Sequence, residues 1–153
     1  FIETVRQEAN RMDVHLLVTT SRRTSKAFES LLEKTCKNDP RCKLLVLANR
    51  MNIEGVVAGI VGLSKVVLVT GESISMVSEA ASVADRVIVF LSTERKKNSK
   101  IEKTLLELSR NECVLLTEQN GLRDTIQKAF DVKETRPKLN DAKRIEEALR
   151  RIV

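Results

Sequence analysis

The residues best suited to chemistry in this chain lie in one run, T-G-E-S-I-S-M-V-S-E-A at positions 70–80. Thr70 and Gly71 end an unbroken Val/Leu stretch at 66–69, and Ser73 and Ser75 can each cap a helix that follows. A helix start offers backbone N–H groups without intrahelical acceptors and the positive end of the macrodipole, which suit a phosphate. An α/β protein needs turns of this kind in any case, so the turn also reads as plain structure. Glu79 adds to it. Between positions 74 and 84 it is the only charged residue, and Ser75 and Ser73 stand four and six residues before it, so a capping box does not account for it. A carboxylate on such an apolar helix either faces solvent or is held by hydrogen bonds.

Other chemistries are poorly supplied. His15 is the single histidine and falls within an apolar stretch, where it reads as a core residue, so neither a Ser/His/Asp set nor a zinc site is expected. Cys36, Cys42 and Cys113 are odd in number and lack C-x-x-C spacing, which argues against a disulfide framework and for a reducing, cytoplasmic setting. The net charge of +6 favours anionic partners. With no Trp or Tyr and four Phe, however, base stacking on single-stranded nucleic acid is not expected. No apolar run is long enough to span a bilayer, which leaves only peripheral contact with a membrane. Gly55, Gly59 and Gly62 do not spell G-x-G-x-x-G, and Glu54 and Lys65 bound their run too closely for membrane pairing.

The elements that must position these residues alternate. A 153-residue chain with 42% hydrophobic residues can build one real core. Residues 1–13 read as an amphipathic helix or linker, 14–136 as a Rossmann-like nucleotide-binding domain, and 137–153 as a final helix capped by Asn140. Phe1 in place of an initiator methionine suggests a processed or a cut-down chain, and in the second case an N-terminal partner domain would be missing. Strands are expected at 14–20, 43–48, 66–69, 86–91 and 113–117. The helix after the first strand should turn Ala27, Phe28, Leu31, Leu32 and Cys36 inward, and a charged loop is expected at 93–100. The fold class is therefore α/β, a parallel sheet flanked by helices with right-handed crossovers, in the expected order 3-2-1-4-5. Ligands of such sheets bind at the strands' carboxyl ends. The turns at 21–25, 49–52, 71–75 and 92–95 would share that edge, with Arg22 and Arg23 facing the helix start after Gly71.

The order of strand, G-E-S-I-S-M-V-S-E-A and next strand resembles the carboxyl-terminal domain of GT-B glycosyltransferases. A closer likeness, which includes T-S-R-R-T at 20–24, is to bacterial proteins related to the plant mitochondrial fission factor family. It covers most of residues 14–130. The resemblance implies a nucleotide-sugar or nucleoside diphosphate as substrate, with no cofactor and no metal. Gly71, Ser73 and Ser75 would lie at the phosphates with Arg22 or Arg23 as charge partner, Glu79 at the ribose, and Asn49 and Met51 at the base. No catalytic residue is assigned, since the family's base commonly lies in the amino-terminal domain. The glycine-x-proline that usually precedes the next strand in glycosyltransferases is replaced by Ala84-Asp85-Arg86. The alternative is a non-enzymatic GT-B-like module that acts through protein contacts.

Overall fold

A computed structural model describes residues 1–51, 53–93, 99–132 and 137–139. Five parallel strands alternate with helices: α1 Ile2–Arg11, β1 Leu16–Thr19, α2 Lys26–Cys36, β2 Cys42–Val46, α3 Val56–Leu63, β3 Val67–Thr70, α4 Ile74–Val83, β4 Val87–Phe90, α5 Lys100–Arg110, β5 Leu115–Thr117 and α6 Leu122–Asp131. This is the expected Rossmann-like α/β class. The final helix expected at 137–153, with its cap at Asn140, falls almost wholly outside the described residues, as do Asn52 and most of the charged loop at 93–100.

The strand order departs from 3-2-1-4-5. β1 pairs with β2, and a separate ladder runs β3-β4-β5, with Val67 opposite Val87 and Val89 opposite Leu116. β3 therefore lies beside β4, not beside β2. The physical reason is visible in β4, whose V-I-V-F run is buried on both faces and takes the centre of its sheet. Val87 and Val89 turn to one core with Val77, Ala80 and Ala81 of α4 and Leu105 and Leu108 of α5. Ile88 turns to the other with Leu122, Ile126 and Ala129 of α6. Small residues on α4 let that helix lie close to the strands.

Two further expectations are corrected. His15 is exposed, one residue ahead of β1, and is not a core residue. On α2 the inward face carries Glu29, Leu32 and Cys36, whereas Leu31 is 48% exposed and Ala27 is exposed too. Ser25 caps α2 by accepting from the Phe28 amide at 3.2 Å, and that start sets the helix's rotation.

Helix α1 spans both halves of the molecule. Ile2 packs with the core under β1 and β2, while Phe1, Val5 and Met12 pack with the core beside α6. Its polar groups do the same: Arg6 Nε donates to Asp39 Oδ2 at 2.5 Å, and the buried Glu8 carboxylate accepts from Arg11 Nε at 2.9 Å and Gln127 Nε2 at 3.1 Å and pairs with Arg123 Nε at 3.0 Å. Burial pushes the Glu8 carboxyl up, but the bonds from Gln127 and Arg11 and the two guanidinium charges together hold it below its ordinary value. Removing the carboxylate strands these donors, so Glu8→Ala should destabilise the fold by about 1–3 kcal/mol. The check is the urea midpoint at neutral pH; Arg11→Ala, which leaves Arg123 and Gln127 in place, should cost clearly less.

Candidate functional site

The residues with chemical potential converge on a cleft of about 300 Å³ at the carboxyl ends of β1 and β2. One wall is Thr19, Thr20, Ser21 and Arg22, running off β1. Ala48, Met51 and Ile53 follow β2, Gly55 to Ala58 open α3, and Met76 and Glu79 project from α4. Arg22, Met51 and Glu79 were all expected at a nucleotide, and they line the same cleft. Arg22 and Glu79 are exposed.

The other expected residues lie outside this lining. Gly71 is buried, and its N–H donates to Phe90 O at 2.9 Å, within the strand ladder. A Cβ there would stand 3.1 Å from Leu105 Cδ1, 3.2 Å from Leu91 Cδ2 and 3.3 Å from Val89 Cγ1, so the glycine serves close packing at the turn. Ser73 holds the N-cap position of α4 without a side-chain capping bond, and Ser75 is exposed in the first turn. Arg23 is exposed, with its N–H donated to Ser21 Oγ at 3.2 Å. Asn49 uses its side-chain amide to hold Thr24 O at 2.9 Å, which ties the two loops that flank the cleft. The helix start that opens on the cleft is therefore that of α3. Gly55 turns the chain into it at φ +73°, a conformation that favours glycine, and its first amides carry no intrahelical acceptor.

Beneath the cleft lies a residue the sequence reading passed over. Glu29 is 2% exposed, and its Oε1 accepts from Thr20 Oγ1 at 2.6 Å and from the Asn49 amide at 3.2 Å. Thr20 Oγ1 in turn accepts from the Ala48 amide at 2.9 Å. The Thr20 bond holds the Glu29 carboxyl below its ordinary value in spite of burial, helped by the Asn49 amide. Arg6 does the same for Asp39. Burial pushes the Cys36 thiol up to about 11, which disfavours its thiolate form.

These lowered carboxyls fix the sign of the pH response. Glu8, Glu29 and Asp39 are all held below their unfolded values, so the unfolded chain takes up protons first as pH falls. Stability from these groups is complete above about pH 4.5 and drains away as pH drops through their lower folded-state values. Urea midpoints between pH 3 and 7 should follow that course, with a shallower acid limb in Glu29→Gln. Gly71→Ala should lose about 1–3 kcal/mol at every pH in the same titration, because three core side chains must yield to the methyl group.

No curated protein and no solved structure matches the chain. A family profile described as Mitochondrial fission ELM1 matches residues 1–153, its whole length, in agreement with the GT-B-like resemblance carried by T-S-R-R-T and T-G-E-S-I-S-M-V-S-E-A. The chain belongs to the mitochondrial fission ELM1 family.

Proposed function

We propose that this chain is the nucleoside-diphosphate-binding half of a GT-B-like protein, taking a nucleotide-sugar as donor and turning nothing over alone. The observation that carries this reading is that Arg22, Met51 and Glu79, far apart in sequence, line one cleft at the strands' carboxyl ends. Arg22 meets the diphosphate, with the open start of α3 beside it. Glu79 accepts from the two ribose hydroxyls, which its two oxygens suit. Met51 lies against the base. Catalysis in a complete protein would then be electrostatic stabilisation of the leaving diphosphate, for which an arginine and helix amides suffice. The three free thiols fit a reducing compartment such as the cytoplasm.

A second reading has its own support. Leu63 is 81% exposed and Met51 62%, and α3 carries no charge along its length, which favours a non-enzymatic module that works through protein contacts. Calorimetry separates the two. Arg22→Ala should weaken UDP, GDP or ADP by roughly ten- to a hundredfold, the loss of a charge-assisted bond of about 1.5–3 kcal/mol, while Arg23→Ala changes little. Glu79→Gln should weaken the same ligands by about 1–3 kcal/mol yet leave inorganic pyrophosphate nearly unaffected. A folded wild-type chain that binds none of these nucleotides would leave the interaction module as the better account.

A further inference from the structure

We infer that Glu29 is the positioning residue of the cleft: its buried carboxylate holds the β1 and β2 ends in register and so sets where Arg22 and Met51 stand. Thr20 and Ala48 both line the cleft, and both belong to the chain Glu29 Oε1, Thr20 Oγ1, Ala48 N–H. Asn49 is tied to the same Oε1 through its amide, and to the other loop through its side chain on Thr24 O. Arg22 lies two residues beyond Thr20, and Met51 two beyond Asn49. Between Ser21 and Thr24 the loop is closed on itself, with the Thr24 amide donating to Ser21 O at 2.9 Å and the Ser21 amide to Thr24 Oγ1 at 3.1 Å. It therefore moves as a unit with its anchor at Thr20.

Apolar packing does not demand a carboxylate here. A leucine would fill the inward face of α2 beside Leu32 and Cys36, but it would leave the Thr20 hydroxyl and the Asn49 amide without their acceptor. The bond pattern is one that glutamine can reproduce, since its carbonyl oxygen also accepts from both donors. The effect on ligand binding rests on the nucleoside-diphosphate reading above; the effect on the loops does not.

The test has two arms in the full chain. Amide hydrogen exchange at Ala48 and Asn49 should quicken about tenfold in Glu29→Leu and in Thr20→Val, with Ile126 and Ala129 of α6 unchanged, and should return close to wild type in Glu29→Gln and Thr20→Ser. Should Glu29→Leu fail to fold, the two Thr20 variants carry the measurement. In the binding arm, Thr20→Val should weaken UDP about tenfold, and that loss should shrink to within threefold once Arg22→Ala is also present, because the two act on one contact. Unchanged exchange at 48–49, quickening spread equally over α6, or an undiminished Thr20→Val penalty in the Arg22→Ala background would overturn the role. If wild type binds neither UDP nor pyrophosphate, the nucleotide reading falls and the exchange arm alone decides the role of Glu29.

Discussion

The two sheets share no backbone ladder among the described residues, and the rest of the molecule is arranged around that gap. Strand pairing across the gap would have fixed adjacent strands at about 4.8 Å. Without it, the halves are held by side chains: α1 bridges them on one side, and α3 against α4 on the other. The cleft opens on the α3 side, between the end of β1 and the second turn of α4. On the α1 side the polar links are Arg6 to Asp39 and Glu8 to Arg123 of α6.

Two buried carboxylates serve the fold, Glu8 between α1 and α6 and Glu29 within the β1–β2 half, and they are stabilised in different ways. Glu8 meets two guanidinium groups that are themselves more than half exposed, so the cations keep much of their hydration while the anion gives up its own. Among the described residues Glu29 has no ion pair of this kind; a short bond from the Thr20 hydroxyl and one from a backbone amide replace its water. Desolvation works against both charged forms; at Glu29 the Thr20 bond outweighs it, whereas at Glu8 the bonds from Gln127 and Arg11 do so only together with the two guanidinium charges. A buried anion is tolerable where donors converge on it and costly where one is taken away.

This explains what was legible in the sequence. Alternation of β-branched runs with amphipathic stretches makes the five strands, the helices among the described residues and the parallel class legible, because period and side-chain branching act locally. The strand–turn–helix passage through Gly71 was legible for the same reason. Strand order was not, since periodicity says that a strand is buried and not which neighbour buries it. Glu29 was missed because a charged residue inside a helical pattern reads as a solvated position; its only clue is a threonine nine residues upstream, at the end of a strand. The inward face of α2 was misjudged by the same logic, with Leu31 favoured over Glu29 on hydropathy alone. Gly71 was recognised as special, but the reason lies in three side chains from distant parts of the chain that close on its Cα.

A division of labour follows from the energetics. Among the described residues the side chains of Arg22 and Glu79 make no hydrogen bond or ion pair, although they line one cleft and carry opposite charges. Neither contributes what the fold needs, and neither is compensated within it. Thr20, Glu29 and Asn49, by contrast, are bonded within the fold: Glu29 Oε1 takes the Thr20 hydroxyl and the Asn49 amide, and the Asn49 side-chain amide goes to Thr24 O. The cleft is thus built in two layers: an inner one whose polar groups are consumed in holding two loops, and an outer one whose charges are free to face what enters. On the nucleotide reading proposed above, changes in the outer layer would act on binding with little effect on stability, while changes in the inner layer would act on both, because the inner bonds restrain the backbone that carries the outer side chains.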